Sequence, residues 1–347
     1  MLITIVTASA VALGVGVTYA ASYVAPEEVV TLQYGSMTAS NYNFQDLAYY
    51  FDKDSGIAEY NATGNGSKTI FALDAVPTSI ISVSVDGTPA AYSLDGQNVT
   101  ITAGAPANNA AVHVSYRTRP GVSVAPFLVK NSQHLRNLAK LQNSGAFPDG
   151  QYVSLASSFQ FEGTAMEPIG TSDNPFTGVF NGNGRVITGL KVATTTLTNV
   201  GMFGVLGSNT RTGTIHSLVL AGPDISYTGS SAIKIGIIAG SRNNTVISTK
   251  QSVIENIEIY GGTSAFDAVR AKIHTGSGAV TSGVLVGENG VHTELGEGQG
   301  KVGFVSTLSN NPTYSSNKNH GSSLASSKNY SYWLNGDSVD RSETNRS

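Results

Sequence analysis

The chain has 347 residues, enough to bury more than one core, and only 12% of them are charged, with a net charge of −3. That balance supplies no basic surface for a nucleic acid. The absence of cysteine excludes disulfides and thiolate metal sites and suits a cell-surface protein free of redox chemistry. The 39 glycines, with abundant Ser, Thr and Asn, predict turn-rich β structure with a neutral polar exterior.

Residues 1–26, "MLITIVTASAVALGVGVTYAASYVAP", carry no charge before Glu27 and are long enough to cross a bilayer as a helix. Three export or anchoring roles fit the stretch. It reads as a secretory signal cut after Ala20, although the basic start is missing and the first lysine is Lys53. It reads equally as a retained anchor. It also resembles the N-terminal helix of a type IV pilin that has lost its leader, with Ile5 where common pilins carry glutamate. A buried soluble helix is the remaining alternative. The filament reading implies self-association through residues 1–24, and all three export readings imply at least transient contact with a membrane.

Residues 27–56 form a tyrosine-rich connector. Asp52-Lys53-Asp54-Ser55-Gly56 begins like a calcium loop but lacks the full ligand spacing, so an ordinary turn is expected. Residues 57–120 alternate as a small β module, with turns at Asp86-Gly87 and Asp95-Gly96. Ile81, Val83 and Val85 are expected on one face of their strand, with Ser82 and Ser84 on the other. The order "NGSKTIFAL…SVSVDG…YSLDG…VTIT…VHVSYRT" resembles the small β-sandwich modules of bacterial surface and phage tail proteins. Within residues 121–150, "VKNSQHLRNLAKLQNSG" predicts a helix capped by Ser132, striped by Leu135, Leu138 and Leu141, and ended at Gly145. Such a helix is suited to plug the open end of a stack of strands.

From residue 151 to 305 a pattern recurs. Ile187, Leu190 and Val192 share an i, i+3, i+5 spacing with Ile215, Leu218 and Leu220, and with Ile254, Ile257 and Ile259. A second pattern, "VGMFGVLG" from Val200, "IGIIAG" from Ile235 and "SGVLVG" from Ser282, lies between them. One coil cannot bury its own apolar face, whereas stacked coils bury one another's. The expectation is a parallel solenoid in which Ile187, Ile215 and Ile254 lie above one another; a β-sandwich is the rival and does not explain the triplets. Long insertions at 221–233, 241–252 and 261–281 are expected as turns that offer contact surface; Tyr227, Tyr260 and Phe266 are candidate contact aromatics there, with packing the favoured role for each. Residues 306–347 are polar and rich in Ser and Asn, with Trp333 as a packing anchor.

The segments "PIGTSDNPFTGVFNGNGRVITGLKV…VGMFGVLG…TIHSLVL…GIIAG…VIENIEI…GVLVG", with the helix and "GQYVSLASSF" before them, resemble the GLUG-type repeats of bacterial surface and adhesin-like proteins. The resemblance covers roughly residues 127–305, and "YWLNGD" at 332–337 resembles a coil-terminal element. It implies a right-handed parallel β-helix, an extracellular location and no assigned catalysis. The fold expected for the chain is thus mainly β: a hydrophobic N-terminal helix, a small β-sandwich and a right-handed β-helix closed by a short helix.

Chemistry is sparse. Glycosidases need two carboxylates at a defined separation, and the nearby pairs are Glu162 with Glu167 and Glu255 with Glu258. No Asp-Asp pair occurs, and Arg242 and Lys250 fall in a turn without an acidic set. His113, His134, His216, His274, His292 and His320 have no histidine partner at i+2 or i+4, against a zinc site. Sequons begin at Asn61, Asn65, Asn98, Asn243, Asn329 and Asn345. No catalytic residue, cofactor or metal is assigned. The sequence reads as a non-enzymatic extracellular structural or adhesive protein, either a pilus-like filament subunit or a membrane-anchored adhesin, with a glycan or host-surface ligand as its partner. The alternative is a secreted β-helix polysaccharide lyase or hydrolase.

Overall fold

The computed structural model describes residues 47–243, 252–262, 272–274, 277, 280–282, 286–288 and 318–321. The expected helix over 1–26, most of the connector and most of 306–347, Trp333 included, lie outside them. The described chain is mainly β with one helix, and it separates into two compact units that divide between Leu128 and Val129.

The first unit contains strands β1 (Ile57–Thr63), β2 (Ile70–Ala72), β3 (Ser79–Val85), β4 (Thr88–Pro89), β5 (Tyr92–Asp95), β6 (Asn98–Ile101) and β7 (Ala111–Arg117). They form two antiparallel sheets, ordered β1-β7-β3-β4 and β2-β6-β5. Ala58, Val83, Val112, Val114 and Tyr116 from the first sheet and Phe71, Val99 and Ile101 from the second share one buried cluster. The Tyr116 hydroxyl, buried with its ring, accepts from the Ala75 amide at 3.2 Å. Asp86 and Gly87 both have positive φ, 48° and 75°, which closes the two-residue hairpin between β3 and β4. The expected face of β3 needs correction. A bulge between Ile80 and Ser82 makes Ile81 the extra residue, and it stands half-exposed, while Ile80 takes the place opposite Tyr116. Alternation resumes at Val83, opposite Val114.

Asp52-Lys53-Asp54-Ser55-Gly56 is an ordinary turn. The Asp52 carboxylate accepts from the Asp54 amide at 3.0 Å, and the Asp52 carbonyl accepts from the Ser55 amide at 2.9 Å.

The second unit begins at Val129, the last residue of β8 (Phe127–Val129). Helix α1 (Ser132–Asn143) comes first, with Leu135, Leu138 and Leu141 buried on one stripe. Its N-cap is Asn131, whose side chain accepts from the His134 amide at 2.9 Å. Ser132, expected as the cap, is instead the first helical residue, and its Oγ accepts from the Glu162 amide at 2.7 Å. Gly145, with φ 74°, turns the chain out of the helix.

The strands after the helix are β9 (Tyr152–Leu155), β10 (Phe159–Gln160), β11 (Val179–Asn181), β12 (Val186–Thr188), β13 (Lys191–Thr194), β14 (Asn199–Val200) and β15 (Phe203–Leu206). There follow β16 (Thr214–Ala221), β17 (Asp224–Tyr227), β18 (Ile233–Ile235), β19 (Ala239–Arg242), β20 (Val253–Gly262), β21 (Lys272–His274), β22 (Val280–Ser282), β23 (Val286–Glu288) and β24 (Lys318–Gly321). Every pairing among β9–β24 is parallel. Three ladders, β13-β17-β21, β14-β18-β22 and β15-β19-β23, recur in the same chain order. In the fourth, β11 and β12 lie on one side of the long β16 and β20 on the other.

The register gives columns of inward residues. Val153, Phe180, Ile215 and Ile254 form one, and Phe159, Ile187, Leu220 and Ile259 another. Met166, Val192 and Ile225 continue the set. Ile169, Phe203, Ala239 and Val286 make a further column, with the small Ala239 next to the large Phe203. The second and third triplets align as expected, Ile215 on Ile254, Leu218 on Ile257 and Leu220 on Ile259. The first does not: Ile187 stacks on Leu220, and Val192 on Ile225. An i, i+3, i+5 spacing arises wherever a corner separates inward positions. Ile215–Leu220 spans the bend inside β16, whereas Ile187–Val192 spans the next corner, at Gly189.

The insertion at 221–233 is not a plain turn, since it contains β17, with Tyr227 fully buried. Those at 241–252 and 261–281 likewise contribute residues to β19, β20, β21 and β22.

Helix α1 satisfies backbone groups of the first rung. The Asn143 side chain donates to the Pro168 carbonyl at 2.9 Å and accepts from the Gly170 amide at 2.8 Å. Gln142 donates to the carbonyls of Asn174 and Pro175. Arg136 donates to those of Glu162 and Thr164. Among the described residues no strand pairs with these groups, and α1 supplies each with a partner. Asn143→Ala is expected to destabilise the second unit by about 1–3 kcal/mol, because it leaves a donor and an acceptor unpaired. Urea unfolding of the full chain, followed by tryptophan-independent far-UV circular dichroism, measures the loss.

Candidate functional site

The outer side of the bend where β11, β16 and β20 lie side by side carries an ordered row of polar residues. Asn181, His216 and Glu255 occupy successive outward positions in register. Each inward neighbour, Phe180, Ile215 and Ile254, is fully buried. Just beyond, Ser217 and Asn256 are in the left-handed region, with φ 54° and 52°, and Asn183 at the corresponding bend of the rung below has φ 52°. Asn and Ser suit the position: short polar side chains tolerate positive φ better than branched ones. Gly182 lets the rungs close, because a Cβ there would overlap Leu218 Cα and the Ser217 carbonyl.

A hydrogen bond links two rungs, and others brace the bend within a rung. Asn256 Nδ2 donates to Ser217 Oγ at 3.1 Å, and Ser217 Oγ lies 3.2 Å from His216 Nδ1. Asn181 Oδ1 accepts from the Asn183 amide at 2.7 Å. Burial pulls the pKa of His216 below its ordinary value, and the Glu255 carboxylate on the next rung offsets part of that. The arrangement presents amides, a hydroxyl, an imidazole and one carboxylate along the stack, a surface for hydrogen bonding.

The depressed pKa has a consequence with a definite sign. A histidine held neutral by the fold contributes stability above its unfolded pKa near 6.5, and that contribution is lost as pH falls through it. His216→Gln is therefore expected to shrink the loss of thermal stability between about pH 7 and pH 5. Melting curves of both chains across that range provide the check.

The residues weighed as catalytic are dispersed. Glu162 and Glu167 are exposed on either side of the buried Met166, in the first rung. Glu255 sits beside His216, and Glu258 is in register with Val219 and Lys318. Arg242 is the final residue of β19, not part of a turn, and it is 1% exposed, in register with Leu206. It donates to the Ser252 carbonyl, and burial pulls its pKa down to about 9. Lys250 lies outside the described residues, as do His292 and Phe266.

His113 pairs with Glu59 at 2.9 Å on the outer face of the first unit's larger sheet, and the same carboxylate accepts from Ser115 Oγ. His134 is buried in α1, where Nδ1 accepts from the Lys130 amide. His274 and His320 belong to β21 and β24. Among the described residues, no group of three or more His, Asp or Glu is placed to hold a metal ion. Tyr227 points inward, its hydroxyl accepting from the Ser231 amide at 3.1 Å, and so takes the packing role and not the contact one; Tyr260 is in register with Ala221.

Sequence reasoning missed the polar bend. Its signal was Asn181-Gly182-Asn183-Gly184, together with Ser217 and Asn256 at the centre of the two triplets that do align. Small residues that accept positive φ, placed between inward apolar positions, mark a bend in the strand.

No family model matches the chain, and no solved structure matches it. The chain is similar to a Gly-rich membrane protein of Evansella cellulosilytica, 33% identical over 140 residues, which is 40% of this chain and 15% of that protein. It is also similar to halomucin of Haloquadratum walsbyi, 31% identical over 137 residues, 37% of this chain and 1% of that protein. The matched segments thus span a small part of these long relatives.

Proposed function

We propose that the second unit is a right-handed parallel β-helix of the GLUG-repeat kind, and that the chain is a non-enzymatic structural or adhesive protein displayed at the cell surface. The in-register stacking of parallel strands from β9 through β20, with its interior filled by Val153, Phe180, Ile215 and Ile254, is the observation that carries the reading. Such a stack resists bending because backbone bonds run along its axis and each rung covers the next. The outward bend of Asn181, His216, Ser217, Glu255 and Asn256 supplies hydrogen-bonding groups, with a single carboxylate among them, for a hydrated glycan or host-surface ligand. The names of the two relatives, a membrane protein and halomucin, favour a location at the membrane or outside it. Residues 1–24 would anchor the chain or join it to neighbouring copies.

Intact bacteria expressing the full chain, treated with a membrane-impermeant amine reagent, test the reading. Labelling of the chain before lysis is expected, and labelling only after lysis would contradict display. Electron microscopy of the same material separates filaments from single anchored chains. Turnover of an acidic or neutral polysaccharide that is lost in Glu162→Gln, Glu167→Gln or Glu255→Gln would replace display with the lyase or hydrolase alternative.

A further inference from the structure

We propose that Asn65 is an acceptor for N-linked glycan, and that Asn61 and Asn98, which begin sequons ending in Thr63 and Thr100, are not acceptors in the folded chain. The inference deepens the surface reading and rests on it for its biological occasion. Its chemistry stands on the first unit alone.

An N-linked acceptor must present the asparagine amide nitrogen, the hydroxyl two residues on and the intervening backbone to a transferase. Asn65-Gly66-Ser67 does so in the loop between β1 and β2, where Asn65, Gly66, Ser67 and Lys68 are all exposed. Three donors converge on one oxygen. Asn65 Oδ1 accepts from the Ser67 amide at 3.0 Å, the Ser67 hydroxyl at 3.2 Å and the Lys68 amide at 2.7 Å. Drawing electron density toward Oδ1 makes the Nδ2 protons more acidic. None of the described residues bonds Nδ2, which leaves it open to solvent. Gly66 has φ 76°, and a Cβ built there meets no atom within 4 Å, so the space on that side of Gly66 is open.

The other two sequons of this unit are held in strands. Asn61 lies in β1 in register with His113. Asn98 lies in β6, the middle strand of its sheet, flanked by Ala72 and Asp95. In extended backbone the side chains at i and i+2 stand apart on the same face, and bending the chain would break ladder bonds on one side or on both. Opening that ladder costs free energy that the Asn65 loop does not spend.

The transfer balances with one named co-reactant, a polyprenyl-pyrophosphate-linked oligosaccharide. Asn65 Nδ2 attacks C1 of the first sugar and forms the N–C1 bond. The C1–O bond to phosphate breaks and the lipid pyrophosphate leaves with the electron pair. One Nδ2 proton passes to a base of the transferase.

The test is made in solution, so that it does not depend on export. Folded full-length chain is incubated with a purified single-subunit oligosaccharyltransferase and a synthetic lipid-pyrophosphate glycan, and the peptides carrying Asn61, Asn65 and Asn98 are measured by mass spectrometry. Occupancy at Asn65 is expected to exceed that at the other two by at least about tenfold, the factor set by roughly 1.4 kcal/mol of ladder opening. Ser67→Ala should abolish the Asn65 product and Ser67→Thr should keep it. Equal occupancy at Asn61 or Asn98, or a bare Asn65, would overturn the assignment. If Asn65 is modified here while intact cells are labelled only after lysis, the display reading fails and the acceptor assignment stands.

Discussion

Gly240→Ala is expected to destabilise the second unit by about 3 kcal/mol or more, enough to remove a large fraction of the stability of a domain this size. A Cβ at Gly240 would overlap backbone on every near side: the amide nitrogen of Val200 and the carbonyl carbon and Cα of Asn199. No flexible side chain is available to move aside, so the strand itself must shift. β19 is locked by parallel pairing to β15 on one side and β23 on the other, and a shift there propagates to both neighbours. Urea unfolding of the full chain gives the loss as a lower midpoint. A midpoint unchanged from wild type would mean that the rungs are not packed as closely as described.

The second large effect is expected at Phe203. Its ring is fully buried, 5.1 Å from that of Phe176 and 5.3 Å from that of Phe180, tilted against the first and edge-on to the second. Phe180 and Phe203 belong to the rung of β11 and β15, Phe176 comes from the rung below, in register with Leu206, and Ala239 sits above Phe203 in the column, too small to fill a hole. Phe203→Ala is expected to cost about 3–5 kcal/mol, the sum of lost transfer energy and an unfilled cavity. Fluorescence of an apolar dye such as ANS should rise with it if the interior loosens. A loss below about 1 kcal/mol would place Phe203 at a surface, contrary to its burial.

Much of the fold is legible in the residues, for local reasons. Asp86-Gly87 announces its hairpin because both residues accept positive φ, and Leu135, Leu138 and Leu141 announce a helix because their period is helical. The bulge at Ile81 is not legible. Alternation through Ile81, Val83 and Val85 is unbroken in the sequence, and only the partner strand, through Tyr116 and Val114, decides which residue is extra. Stacking is legible as a principle but its phase is not. The triplet at Ile187 has the spacing of the other two, yet it spans a different corner, because four residues at Gly182–Arg185 separate β11 from β12 where β16 bends at Ser217 without a break. The burial of Arg242 escapes for a related reason: its position in the stack follows from Phe176 and Leu206 beneath it, which only the register relates to it. The polar bend is hidden because its members come from three rungs of unequal length, and no single window of sequence contains them.

Everything functional in this account depends on the parallel register between rungs, and paired cysteines test it most directly in a chain that has none of its own. The outward residue Thr188 is in register with Ala221, whereas aligning the triplets would place it beside His216. Under mild oxidation the Thr188→Cys/Ala221→Cys chain is predicted to form an internal disulfide, read by peptide mapping, while Thr188→Cys/His216→Cys is predicted to stay reduced, since a bridge needs Cα atoms within about 7 Å. A disulfide in the second chain and not in the first would contradict the register, and with it the stack.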